Sequence, residues 1–308
     1  MGKVEIMELH PMTFSEFLLA SNAKLHTAYI SLADEKKIQP LPEAFFNPLM
    51  ENFKEYIVCG GMPEVVSHYI QHKDLNATTE VKRQLLETYT RDFSNHIDTN
   101  KTALKVRHVW DSLPAQLAKE NKKFLYKAVR TGAKAREYEE ALDWLNGAGL
   151  VIKASNVSVP RLPLKSYNDL TAFKLYLLDV GLLFAMSDLD PKDYIIGNRL
   201  LTEFKGALTE NYIAQALKAQ AVPALHYWTS RGKAEIDFLL PQSNKIVPIE
   251  VKAGKSTKAQ SLKVYKKAYN PELSIMLSAN NFSFDGKNLS IPLFYADRII
   301  DFYQKTMK

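Results

Sequence analysis

The chain has 308 residues, of which 46% are apolar and 24% charged, a composition that suits a globular protein of two or three domains. There is no run of about eighteen uncharged apolar residues and no basic stretch leading into an apolar one at the N-terminus, which argues against a spanning helix and an export signal and sets a cytoplasmic expectation without membrane partners. A single cysteine, Cys59, excludes an internal disulfide and a cysteine-rich zinc site, while the formal charge of +6 leans towards polyanionic partners.

In chain order, VEIMEL alternates as a strand, and Thr13 to Glu16 has the spacing of a capping box that opens the helix FSEFLLA. Residues 21–98 read as a helical connector, with Pro40, Pro42 and Pro48 near its start and a tight turn at Gly60-Gly61-Met62-Pro63. Residues 99–190 give a helix, the segment FLYKAVR, and a third helix, KAREYEEALDWLNGAG, ended by Gly147 and Gly149. The strands LVIKA and KLYLLDV follow, so the order is that of a winged helix. Its third helix carries Lys134 and Arg136 but also Glu137, Glu139, Glu140 and Asp143, a balance that phosphate would repel and that suits a protein partner better than a DNA groove. Residues 191–308 alternate a helix near 203–220, strands HYWTS, AEIDFLL and KIVPIEVKA, a helix near 258–269, the strand LSIMLSA and a last helix near 298–305. The expected fold class is therefore mixed α/β and multidomain.

The segment IEVKAGKST, residues 249–257, admits two readings. Gly254 to Thr257 has the end of a phosphate-binding P-loop, yet the required glycine five residues before Gly254 is Ile249, and Ser256 or Thr257 has the simpler role of capping the next helix. The front of the segment carries more chemistry. On an extended strand Glu250 and Lys252 share one face, and on the preceding strand Glu235 and Asp237 share another, with Ile236, Phe238 and Leu240 opposite. A hairpin between these strands puts Asp237 beside Glu250, and two adjacent carboxylates call for a hard cation, Mg²⁺ or Mn²⁺. Glu210 falls on the helix stripe of Ile213, Ala214 and Leu217 that should cover the sheet. Asp237, Glu250 and Glu210 are the expected metal ligands, and Lys252 would orient or deprotonate the attacking water or stabilise developing charge.

Seven lysines lie between Lys245 and Lys267 against one acid, Glu250. Within and beside this basic region, Arg231, Lys233, Lys255, Lys258 and Gln260 are the expected contacts to a nucleic acid, DNA rather than RNA. His226 and Trp228 read as packed residues of an edge strand.

Through GKVEIMELHPMTFSEFLLA, YIVCGGMPEVV, YEEALDWLNGAGLV, LYLLDVGLL, LTENYIAQAL, HYWTSRGKAEIDFLL and IEVKAG, the chain resembles prokaryotic AAA-type ATPases with a C-terminal domain similar to PD-(D/E)XK nucleases. The resemblance implies that residues 1–20 hold the last strand of an ATPase core and the helix after it, and that residues 191–308 form the nuclease-like domain. Glu210 then matches the helix acid, Asp237 the first strand acid, and Glu250 and Lys252 the E-x-K pair; the motif's proline is absent before Asp237. Because the Walker motifs are not in this sequence, ATP binding is expected only in a full-length relative. The implied function is Mg²⁺-dependent hydrolysis of DNA, or else a non-catalytic nucleic-acid- or protein-binding module under ATPase control.

Overall fold

The computed structural model describes residues 7–97, 99–119, 122–197, 202–256 and 258–307. Helix α1 (Phe14–Ser21) begins with the expected capping box: Thr13 Oγ1 accepts from Glu16 N at 3.3 Å while Glu16 Oε2 accepts from Thr13 N at 2.7 Å. Of the expected strand before it, residues 1–6 lie outside the described residues, and 7–12 are not strand. Instead, Met12 N donates to Gly61 O and Met12 O accepts from the Tyr56 hydroxyl, both at 2.7 Å.

The connector is helical as expected, with α2 (Ala23–Asp34), α3 (Glu43–Cys59), α4 (Pro63–His72) and α5 (Ala77–His96). Edge-on ring contacts of Phe14 with Tyr29, Phe53 and Tyr56 weld it into the main core. Next come α6 (Asn100–Leu117), the single turn α7 (Tyr126–Val129) and α8 (Ala135–Gly147), then the antiparallel strands β1 (Val151–Val157) and β2 (Asn168–Leu177). The expected strand KLYLLDV stops at Leu177. Asp179 instead caps α9 (Val180–Met186), accepting from Leu182 N at 2.9 Å. Helices α10 (Pro191–Ile196) and α11 (Thr202–Ala219) follow.

The remaining strands are β3 (Leu225–Thr229), β4 (Glu235–Ile236), β5 (Phe238–Gln242), β6 (Lys245–Val251), β7 (Ser274–Ser278), β8 (Ser283–Phe284) and β9 (Asn288–Pro292), with helices α12 (Gln260–Tyr269) and α13 (Ile299–Thr306). They complete two mixed sheets, ordered β2-β1-β3-β4 and β5-β6-β7-β9-β8. The first sheet joins strands from both sides of residue 190, because β3 adds in parallel to β1. β3 is consequently an interior strand rather than an edge. His226 and Trp228 are buried in it, and the Trp228 ring meets Tyr265 and Tyr269 edge-on.

The expected single strand AEIDFLL is broken at Asp237, which sits at a bend between β4 and β5. Ile236 accordingly packs with Trp228, Leu239 and Tyr265 in a small second core, whereas Phe238 and Leu240 join the main one, so Ile236 and Phe238 do not share a face. β5 and β6 form the expected hairpin around Ser243 and Asn244, whose φ values of 49° and 61° are those of a type I′ turn. Among the described residues no helix is long and apolar enough to cross a membrane.

Two glycines test this packing. A Cβ on Gly61 would fall 2.1 Å from Met12 O, whereas one on Gly206, within α11, meets nothing within 4 Å. Gly61→Ala is expected to destabilise the chain by about 1–3 kcal/mol and Gly206→Ala to stabilise it by about 0.5–1 kcal/mol, read from urea denaturation midpoints.

Candidate functional site

The hairpin register pairs Phe238 with Ile249, which sets Asp237 across from Glu250 one step further along. Asp237 Oδ2 accepts a hydrogen bond from Val251 N at 2.7 Å, so its carboxylate is pinned to the E-x-K strand. Glu250 is 3% exposed. Its Oε1 lies 2.7 Å from Lys252 Nζ, and its Oε2 is buried with no hydrogen-bond partner among the described residues. Glu210 is buried on α11 in the stripe with Ile213, Ala214 and Leu217, as the helical period requires. Glu210, Glu235 and Asp237 each offer a carboxylate oxygen, and these oxygens lie within 4.8 Å of one another, a grouping able to hold a metal ion.

Cations missing from the sequence reading occupy the same space. Lys174, fully buried on β2, places Nζ 2.9 Å from Glu210 Oε1 and 2.5 Å from Glu235 Oε1, over the face of Tyr227. Lys122 Nζ lies 2.5 Å from Glu210 Oε2, and the Tyr176 hydroxyl donates to Glu210 Oε1 at 3.2 Å. The sequence carried one signal for Lys174: a lone lysine inside the apolar run of β2. Lys122 lies in a loop and gave none.

These neighbours sort the protonation states. Burial would raise the Glu210 carboxyl, but Lys174 and Lys122 outweigh it and hold the group far below the usual carboxylate range. Asp237 moves the opposite way, raised by burial and then by the negative charges of Glu210 and Glu250. Glu250 and Glu235 are raised too, chiefly by burial. The Lys252 ammonium is raised despite burial, because Glu250 and then Asp237 favour its charge. It therefore keeps its proton at neutral pH. That environment suits a hydrogen-bond donor.

Arg231 and Lys233 are exposed on the turn between β3 and β4, and Lys255 and Lys258 on the loop after β6. The two segments are tied where Glu235 N donates to Ser261 Oγ at 3.2 Å. The first loop leads into Glu235 and the second follows Glu250 and Lys252 along the chain. Gln260 is exposed at the first position of α12. The P-loop alternative has no helix in the required place, since α12 starts at Gln260 with Ala259 as its cap. Among the described residues Ser256 Oγ accepts from Lys258 N at 3.4 Å, and Thr257 lies outside them, so neither is shown capping that helix. On α8 the acids Glu137, Glu139, Glu140 and Asp143 are all exposed.

Two substitutions read the site's electrostatics. Lys174→Met leaves Glu210 and Glu235 short of a buried counter-charge and is expected to cost about 3–5 kcal/mol of stability, part of which returns on adding Glu210→Gln. Asp237 carries the reverse sign. A carboxyl whose folded pKa is raised destabilises the fold as pH climbs from its unfolded value, about 3.9, through the folded one. Asp237→Asn keeps an acceptor for Val251 N and should stabilise the metal-free chain at neutral pH by about 0.5–2 kcal/mol, with the gain vanishing at acid pH in a denaturation series.

Comparison with known families divides the site between two regions. Residues 50–193, which include Lys122 and Lys174, match a family described as Domain of unknown function (DUF8612). Residues 205–295, which include Glu210, Glu235, Asp237, Glu250 and Lys252, match one described as Domain of unknown function (DUF4143). No curated protein and no solved structure matches the chain.

Proposed function

We propose that the chain carries a divalent-cation-dependent, PD-(D/E)XK-type site that hydrolyses phosphodiester bonds in DNA. The observation that carries this reading is the juxtaposition of Asp237, pinned by Val251 N, with Glu250, whose Oε2 is buried and lacks a hydrogen-bond partner among the described residues. A buried carboxylate oxygen in that state costs free energy unless a cation or a proton meets it. The donor set is all oxygen, which fits Mg²⁺ or Mn²⁺.

Asp237 and Glu250 would hold the ion, with Glu210 and Glu235 beside them. When bound, such an ion polarises a phosphodiester and lowers the pKa of a coordinated water. The chain's own groups supply the rest. Lys252, half-buried and protonated, donates to Glu250 and stands ready to donate to a non-bridging phosphate oxygen as negative charge grows there. Lys174 and Lys122 hold Glu210 in its charged form and fix its orientation. Arg231, Lys233, Lys255 and Lys258 offer positive charge to the phosphates on either side.

A second reading is favoured by Lys174. Its buried ammonium already pairs with both Glu210 and Glu235, so the cluster is also consistent with a non-catalytic module that grips nucleic acid or a protein. Incubation with plasmid, linear and branched DNA plus Mg²⁺ or Mn²⁺ separates the two. Under the first reading, cleavage requires metal, disappears in Asp237→Ala and falls about 10²–10³-fold in Lys252→Ala. Absence of cleavage on all three substrates, together with binding that weakens with salt and ignores metal, would establish the second.

A further inference from the structure

Four carboxylates make up the acid cluster, those of Glu210, Glu235, Asp237 and Glu250, and three ammonium groups pair with them, those of Lys122, Lys174 and Lys252. The cations are unevenly shared. Glu210 meets two of them, with Lys174 Nζ 2.9 Å from Oε1 and Lys122 Nζ 2.5 Å from Oε2, and its Oε1 also accepts from the Tyr176 hydroxyl. Glu235 Oε1 takes the second bond of Lys174, at 2.5 Å. Lys252 reaches Glu250 through Oε1 at 2.7 Å, and Glu250 Oε2 is left buried with no hydrogen-bond partner among the described residues. Asp237 makes no ion pair among the described residues; its Oδ2 accepts from Val251 N.

Lys174 Nζ bridges Glu210 and Glu235 as a bound cation would. An oxygen from each of these glutamates and one from Asp237 lie within 4.8 Å of one another, the spacing of a metal-binding group, yet the ammonium already takes Oε1 of both glutamates. Lys174 is held in that position. It is fully buried in β2, pairs with Ala154 of β1, and carries its ammonium 4.9 Å from the centre of the Tyr227 ring, so moving it would part opposite charges in a buried setting. Charge points the same way. With every group ionised the cluster carries one net negative charge; one divalent ion turns this into one positive charge, and a second would make it three where little water is present to screen them.

We propose, resting on the metal-dependent reading of this site, that Lys174 serves in place of a second metal ion. The cluster then takes a single divalent cation, at Asp237 and Glu250, while Glu210 and Glu235 are partners of the Lys174 ammonium and stand outside the metal's own ligand set.

Titrating the intact chain with Mn²⁺ while following free Mn²⁺ by electron paramagnetic resonance counts bound ions without substrate or turnover. One ion per wild-type chain is expected. Glu250→Gln keeps an acceptor for Lys252 but removes a ligand charge, and should weaken binding by more than about 100-fold; Glu235→Gln, whose carboxylate meets Lys174, should weaken it by no more than about 10-fold. Lys174→Met frees the oxygens of Glu210, Glu235 and Asp237 and should raise the count to two. Two ions on the wild-type chain, equal losses in the two glutamine variants, or a single ion on a folded Lys174→Met chain would overturn the role given to Lys174. The first two of these outcomes do not use the Lys174 variant, so they decide the matter even where that variant fails to fold. Absence of Mn²⁺ binding at millimolar concentration would sink the metal-dependent reading itself, and this assignment with it.

Discussion

Lys174 and Glu210 bring opposite charges together in a place that water does not reach, and the geometry of the candidate site follows from that contact. Lys174 belongs to β2 and Glu210 to α11, segments matched to different families, so their pairing fixes how the two regions meet. Ionic groups in a buried setting are weak contributors to net stability but costly to separate, because each alone would be an uncompensated charge. Lys122 completes the pairing and, with Lys174, holds Glu210 charged, so that Asp237, already raised by burial, is raised further. Asp237 and Glu250, pushed upward by burial and by the negative charge of Glu210, are therefore the members of the cluster that most favour a proton or a cation.

The same helix reads out the following turns of chain with neutral polar groups. Asn211 clamps Leu177 through both its backbone N and O, and Gln215 accepts from Val180 N while donating to the Tyr56 hydroxyl at 3.0 Å. Tyr56 bonds Met12, and Asp179 bonds Gly61 N at 2.7 Å, so the N-terminal segment, the glycine turn and the start of α9 form one buried polar network. Beside it Lys82 is buried, donates to Val58 O at 2.6 Å, and is pushed down by burial to about 8 against the pull of Cys59 and Asp179. Networks of this kind specify a unique arrangement when every member is satisfied. Any displacement of the segment at Met12 must thus be felt along α11, the element that carries Glu210.

The two sheets divide labour at Asp237. Its bend ends one sheet and starts the other, and the small core formed by Trp228, Leu239 and Leu262 anchors α12 near the break. That anchoring leaves β9 and β8 uncovered on the Glu250 side, where a groove of about 530 Å³ begins at Met276, the strand neighbour of Glu250. Function, on this reading, resides in the places where packing is incomplete and charge is unbalanced.

Local rules were enough for the mixed α/β class, the capping box at Thr13, the buried stripe holding Glu210, and the E-x-K face with Asp237 across a hairpin, since each depends on the 3.6- or 2-residue period or on turn chemistry. They did not reach Lys174 or Lys122, whose partner Glu210 lies 36 and 88 positions away and leaves no periodic trace. Alternation also misjudged AEIDFLL, because a period of two assumes one continuous sheet and cannot register that Asp237 hands the chain to a second. The sequence by itself determined which residues can carry the chemistry. Only the tertiary structure decided which of them share a pocket and in what charge state, because burial and long-range pairing, not local propensity, set the electrostatics there.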